Sequence, residues 1–278
     1  MLQITLVGTG TAFTRRYGHT NSLIEAGAVR LMVDFGFTSP LRLDGLSRSL
    51  KEITHVAVSH IHADHVGGLE ELAFMSRFVF RRKPTLLLPE GLADDLWSTA
   101  LRGGLELTAD ERGEPLYCTI DTYFDVIRLG ADWVDLGAVR IKAFPNDHVP
   151  GKLSSGFIVR DADSGEQAIF GCDVRKRLQQ LEREPIAEDF AVGPVFHDCQ
   201  LFDDGPSGVH IPYAKLLKYP QSVLRRLILV HYNDSILDHL PTIYKDGFSI
   251  AWPGDVIRVP GWEESVRRNR EANSRNGH

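Results

Sequence analysis

The 278-residue sequence predicts an α/β chain in which two mixed sheets pack face to face with helices outside. Three observations point there. Short apolar strands outnumber helices in both halves, the helices are interspersed among the strands, and neither a low-complexity linker nor a short-period repeat divides the chain. Hydrophobic residues make up 43% and charged residues 24%, as expected of a globular domain. A chain this long can bury a core without disulfide or metal staples, so any metal is expected to be catalytic rather than a fold-maker. One domain is expected over 1–262. The polar tail 263–278 is expected to be disordered or a frayed helix.

The elements follow in order. Leu2 to Val7 alternates as a strand and runs into the turn-prone Gly8-Thr9-Gly10-Thr11. Ser22 to Glu25 and Val29 to Val33 form a hairpin around Ala26-Gly27-Ala28, and Asp34 ends its second strand. Val56-Ala57-Val58 leads straight into a histidine cluster. Gly67 to Arg77 has helical spacing, with Leu69, Leu72 and Met75 on one face. Thr85 to Leu88 is a buried strand and Leu92 to Leu101 a second helix. Strands are then expected at Phe124–Leu129, Val139–Phe144, Gly156–Val159 and Gln167–Phe170. Arg175 to Glu184 has a helical pattern, and strands follow at Val192–Asp198 and Arg226–His231. A last strand pair, Ser249–Trp252 and Asp255–Val259, closes the ordered part.

Charge and cysteine content narrow the function. A net charge of −6 and a pI near 6.0 argue against a protein that coats nucleic acid through a broad basic face. Two basic runs, Arg81-Arg82-Lys83 and Arg175-Lys176-Arg177, are expected to be solvated surface. Cys118, Cys172 and Cys199 match no Cys-x-x-Cys zinc knuckle, and free thiols suit a cytoplasmic protein. The N-terminus lacks the basic start and long apolar run of a signal peptide, and no stretch has the length of a membrane span.

Chemistry concentrates in Ser59-His60-Ile61-His62-Ala63-Asp64-His65-Val66-Gly67-Gly68. Two imidazoles one residue apart at a strand end can face one ion, and Asp64 and His65 on the next turn can face a second. Imidazole suits zinc and related transition metals, and a carboxylate adds charge neutralisation. A merely histidine-rich surface loop would not follow an apolar strand, nor precede Gly67-Gly68, which lets a helix approach closely.

His-x-His-x-Asp-His after an apolar strand resembles the defining motif of the metallo-β-lactamase superfamily. Further motifs occur in that family's order. Asp34 in Val33-Asp34-Phe35-Gly36 resembles the aspartate behind the metal loop, and its alternative is a simple strand-ending turn residue. His148 in Asn146-Asp147-His148, Asp173 in Phe170-Gly171-Cys172-Asp173 and His231 after Leu227-Ile228-Leu229-Val230 resemble the later ligands. The resemblance implies a four-layer αββα sandwich, with two divalent metal ions at one edge between the sheets. His60, His62 and His148 would hold one ion; Asp64, His65 and His231 the other; Asp173 would be shared. Ions so placed lower the pKa of a shared water towards neutrality and polarise the electrophile, which makes a hydrolase. Zn²⁺, Mn²⁺ and Fe²⁺ all suit such ligands.

The substrate class rests on finer likeness. Gly8-Thr9-Gly10-Thr11-Ala12-Phe13 through Asn21-Ser22 resembles the opening of the ribonuclease Z and cyclic-phosphodiesterase branch. His210, 21 positions before His231, resembles that branch's phosphate-contacting histidine, which makes it the general-acid candidate; a surface-loop histidine is the alternative. Asp64 and His210 are thus the candidate catalytic residues. His148 and Asp173 are only 25 apart, which leaves little room for a tRNA-gripping arm, so long RNA is disfavoured. A small (cyclic) phosphodiester or nucleotide is the expected substrate. Val195-Phe196-His197-Asp198-Cys199 is similar to the enzyme for ribosyl 1,2-cyclic phosphate, yet that enzyme's early zinc-binding cysteines are absent. Arg15 and Arg16 stand there, either reaching phosphate or decorating a loop. His197 and Asp198 are expected behind the site or at a strand end rather than as ligands. A thioester or lactone hydrolase and a non-catalytic accessory protein resembling the pyrroloquinoline quinone synthesis factor remain as alternatives. The resemblance also implies a homodimer as one option.

Overall fold

In the computed structural model, which describes all residues except 183, 202–204, 206 and 276–278, the apolar runs become strands. The first half supplies β1 (Leu2–Gly8), β2 (Asn21–Ala26), β3 (Val29–Val33), β4 (His55–Ala57) and β5 (Thr85–Pro89). After these come β6 (Leu107–Ala109), β7 (Pro115–Tyr117) and β8 (Asp125–Leu129). The second half supplies β9 (Val134–Asp135), β10 (Val139–Pro145), β11 (Ser155–Asp161) and β12 (Gln167–Phe170). β13 (Val195–Asp198), β14 (Leu227–Val230), β15 (Ser249–Ile250) and β16 (Val256–Val259) complete it.

One seven-stranded sheet has the order β16-β1-β2-β3-β4-β5-β8 and the other β15-β14-β13-β12-β11-β10-β9, while β6 and β7 pair separately. Each large sheet joins an antiparallel part to a parallel part. In the first, β3, β4, β5 and β8 run parallel; in the second, β12, β13, β14 and β15 do. Crevices outside the carboxyl ends of parallel strands are where α/β sheets place their ligands.

Successive side chains of a strand face opposite ways, and here both faces are covered. Leu86 and Leu88 pack outward among helix residues such as Leu69, Leu72 and Leu96, whereas Leu87 of the same strand packs between the sheets. On the second sheet Leu227 and Leu229 face outward to Tyr213, Leu216 and Ile243, and Ile228 and Val230 face inward. Helix, sheet, sheet, helix: the fold is the four-layer αββα sandwich. Double-sided burial is also why these strands have continuous apolar runs rather than alternation.

Several local expectations are corrected. Arg175 to Glu184 is not a helix; a 3₁₀ turn at Gln179–Leu181 is its regular part, and residue 183 lies outside the described residues. The cause is competition for backbone donors. Leu178 N–H, which would close the first turn of a helix from Arg175 by bonding the Val174 carbonyl, donates instead to the Tyr219 hydroxyl, while Arg175 N–H is held by the Asp147 carbonyl. β15 and β16 are not a pair: β15 joins β14 in the second sheet and β16 joins β1 in the first. The turn between them, with Gly254 at φ 89°, carries the chain across the sandwich. Expected strand Val192–Asp198 begins only at Val195. The polar end is helical from Trp262 to Arg275, with Trp262 and Val266 packed against the inter-sheet core. Residues 276–278 of the expected tail are outside the described residues. Helices at Ser39–Gly45 and Ile236–Lys245 were not expected; the first is short, and the second carries Ile236, Leu237, Leu240, Ile243 and Tyr244 at helical spacing but is interrupted by Pro241. No helix among the described residues is long and apolar enough to cross a membrane.

Candidate metal centre

The parallel strands of both sheets deliver their last residues to one crevice. Asp34 follows β3, Ser59 and His60 follow β4, Asp173 follows β12, Asp198 ends β13 and His231 follows β14. At three of these exits the backbone turns left-handed on a residue other than glycine: Asp34 at φ 61°, Cys172 at φ 51° and His231 at φ 59°. Such a conformation costs about 1–3 kcal/mol and persists where surrounding bonds over-determine it. Asp34 N–H is held by the Ala57 carbonyl at 2.8 Å and His231 N–H by the Thr9 carbonyl at 2.7 Å. Gly36 lets the metal loop lie close: a Cβ there would stand 2.0 Å from the Asp64 carbonyl oxygen.

The structure brings His60, His62, Asp64, His65, His148, Asp173 and His231 together. One set is His60, His62, His148 and Asp173; the other is Asp64, His65, His231 and Asp173, and the ligand atoms within each set lie within 4.8 Å of one another. His62 Nδ1 is 2.9 Å from His60 Nε2 and 3.2 Å from His148 Nε2. His65 Nε2 is 3.3 Å from both Asp64 and Asp173, and His231 Nε2 is 3.4 Å from Asp173.

Proton placement follows from the partners behind each ring. Ser59 Oγ donates its single proton to Asp34 at 2.8 Å, so toward His60 Nδ1 at 2.9 Å it can only accept. His65 Nδ1 donates to Asp34 at 2.7 Å, and His148 Nδ1 to the Val209 carbonyl at 2.8 Å. His231 Nδ1 faces Asp198 Oδ1 at 3.4 Å. Outer partners of this kind orient an imidazole for a metal. They turn the Nε2 atoms of His60, His65, His148 and His231 to the centre.

Charge completes the picture. Burial, and then His65, hold His60 well below the usual histidine range, and burial also lowers His148; both rings are neutral acceptors. Burial lowers His65 too, but Asp173, Asp64 and Asp34 outweigh it and hold the ring well above the usual range. Burial pushes the Asp173 carboxyl up, but His231 and His65 more than reverse that, so it stays ionised. His65 Nε2 and Asp173 Oδ1 are buried without a hydrogen-bond partner. Converging acceptor nitrogens, buried carboxylates and orphaned inward atoms fit divalent cations; hydrogen bonding alone leaves them unsatisfied.

His210 joins this cluster from the other side. Its Nδ1 donates to Asp198 at 2.9 Å, and its ring centroid is 4.7 Å from that of His231 and 5.1 Å from that of His148. His197 faces away from the centre, with its ring nitrogens on the Asp198 carbonyl and the Tyr219 hydroxyl. Asp198, expected behind the site or at a strand end, ends β13 and meets both His210 and His231, a double contact the sequence does not show. Arg15 and Arg16 offer their backbone N–H groups to Asp234, while their side chains are exposed. The run from Arg175 is mostly paired: Arg175 and Lys176 meet Asp147.

Residues missed in the sequence are supports. Ser59 ties Asp34 to His60. Asn21 takes the Gly36 N–H at 2.8 Å and gives its amide towards the Asp64 carbonyl at 3.4 Å. Their only signal was adjacency to a motif.

The family described as "Anti-Pycsar protein Apyc1" matches residues 2–249. The chain is 37% identical over 237 residues to the anti-Pycsar protein Apyc1 of Paenibacillus harenae, spanning 84% of this chain and 91% of that one. It is 31% identical over 252 residues to the protein of the same name from Bacillus phage 010DV004, with 85% and 91% covered. Among solved structures, the metallo-beta-lactamase fold protein YhfI from Bacillus subtilis superposes with a TM-score of 0.70 at 16% identity, over 92% of this chain and 98% of that one. Human tRNase Z, short form, gives 0.62 at 19%, over 93% and 99%. The chain has the metallo-β-lactamase fold and belongs to the anti-Pycsar protein Apyc1 family.

Proposed function

We propose that the chain is a metal-dependent hydrolase of a small (cyclic) phosphodiester or nucleotide. The observation that carries this is the Asp198–His210 pair beside two ligand sets sharing Asp173. His60, His62, His148 and Asp173 would hold one divalent ion, and Asp64, His65, His231 and Asp173 a second; Zn²⁺, Mn²⁺ and Fe²⁺ fit this donor set. Bound there, the two ions would supply a water of lowered pKa and polarise the phosphoryl group.

The chain's own groups do the rest. Asp198 accepts from His210 Nδ1, so that ring's Nε2 is the atom able to carry a proton to a departing alkoxide. Asp34, Ser59 and the Val209 carbonyl fix the ring orientations, so that little rearrangement accompanies the reaction.

The test is metal-loaded protein assayed on bis-p-nitrophenyl phosphate, a cyclic nucleotide, a thioester and a lactone. Phosphodiester turnover alone supports the reading. Turnover of only thioester or lactone overturns it, and so does tight ligand binding without turnover of any substrate. Asp173→Ala should bring metal well below two per chain by elemental analysis; unchanged stoichiometry removes Asp173 as the shared ligand.

A further inference from the structure

A cavity of about 340 Å³ opens on His210 and His231, and its remaining wall includes Phe13, Gln200, Ser207 and Asn233. That volume is at the small end for small-molecule sites, about 300–1,000 Å³. Phe13 is 87% exposed. Exposure by itself says little, since single surface hydrophobics are common. Two further observations make this ring different.

The first is rigidity. Asp234 accepts from Thr14 Oγ1 at 2.5 Å, from Arg15 N–H at 2.9 Å and from Arg16 N–H at 3.3 Å. On the other side of Phe13, Thr11 N–H donates to the Tyr232 carbonyl at 3.1 Å. The loop is therefore tied before and after Phe13 to residues 232–234, directly beyond His231. The backbone that carries Phe13 is thereby fixed, and an aromatic side chain, with few rotatable bonds, offers contact area at low entropic cost.

The second is what the polar neighbours are already doing. Gln200 donates to the Gly205 carbonyl and accepts from Ser207. Ser207 Oγ also receives the N–H groups of Val209 and His210, and Asn233 Oδ1 receives Ser235. These groups shape the loops around His210. Among the described residues of the cavity, Phe13 offers the broad apolar face.

We infer that Phe13 is the stacking platform for a flat aromatic ring, of the nucleobase kind, on a substrate whose phosphate reaches the His/Asp cluster. The inference rests on the phosphoester reading above and names the substrate's second half. Base–aromatic stacking is worth about 5- to 150-fold in affinity.

The experiment is calorimetric binding of adenosine 5′-monophosphate and ribose 5-phosphate to the metal-loaded full chain and its Phe13 variants. Both probes carry the same phosphate and sugar, and only one carries a base. The wild type should bind the nucleotide about tenfold or more tightly. Phe13→Ala should abolish that preference and leave ribose 5-phosphate affinity unchanged, while Phe13→Tyr should keep the preference. Equal binding of both probes by the wild type overturns the inference. So does a preference that survives Phe13→Ala, or equal weakening of both probes. Because the readout is binding, a chain that hydrolyses no phosphodiester but keeps a Phe13-dependent preference sinks the proposed reaction and not this platform.

Discussion

Two buried aspartates stand behind the centre, one at the end of each sheet, and they are used differently. Asp34, after β3, takes Ser59 N–H at 2.7 Å, Ser59 Oγ at 2.8 Å and His65 Nδ1 at 2.7 Å. All its partners are buried. Asp198, at the end of β13, takes Val174 N–H at 3.1 Å and His210 Nδ1 at 2.9 Å, and lies 3.4 Å from His231 Nδ1. One of its imidazoles, His210, keeps 23% of its side chain exposed. The first sheet thus closes a carboxylate around a single inward-facing ring. The second divides a carboxylate between an inward-facing ring and one open to incoming substrate. The difference separates holding from reacting.

The comparison breaks hardest at Asp34. Asp34→Ala leaves the His65 ring and the Ser59 N–H unpaired in the interior, which should cost about 3–5 kcal/mol in urea unfolding. Metal affinity should fall about 10- to 100-fold by competition with a chelator. The same change at Asp198 should cost less, about 2–3 kcal/mol: Val174 N–H and His231 Nδ1 lose a buried partner, but His210 can turn to water. Equal losses would mean that the two carboxylates do the same job. Next in size, His210→Ala should slow phosphodiester turnover about a hundredfold or more with metal content unchanged. Loss of metal instead would place His210 among the holding residues.

A third buried carboxylate sharpens the contrast because its partners among the described residues are amides and not imidazoles. Asp255 accepts from Trp252 N–H at 3.0 Å and Asn273 Nδ2 at 3.2 Å, and burial pushes its carboxyl up to about 6. A folded pKa above the unfolded value favours folding while the proton is on. That contribution is full below about 4 and is lost as pH rises through about 6. Asp255→Asn should therefore match the wild type in stability near pH 4.5 and exceed it by about 2 kcal/mol at pH 7.5. A gap independent of pH in urea midpoints would show that Asp255 carries no such proton.

The site was legible unevenly. His60, His62, Asp64 and His65 stand on one loop, and their chemistry is visible in adjacency alone. His148, Asp173 and His231 lie on three separate strand exits; each is a lone polar residue until the order of motifs joins them. Three left-handed exits, at Asp34, Cys172 and His231, had no compositional signal, since none falls on glycine. The failed helix at Arg175 shows the same limit: its spacing was helical, but the Tyr219 hydroxyl, distant in sequence, took the Leu178 amide that would have closed its first turn.

The sequence by itself determined the layers, because strands buried on both faces must be apolar throughout, and it determined the ligand types, because metals demand imidazole and carboxylate. Tertiary structure decided the partners. Which carboxylate backs which ring, and how β15 and β16 part to opposite sheets, depends on contacts between residues far apart in the chain. Phe13 is the clearest case. In sequence it is one more aromatic in a loop; only folding ties that loop to Asp234 and sets the ring at the mouth of the cavity.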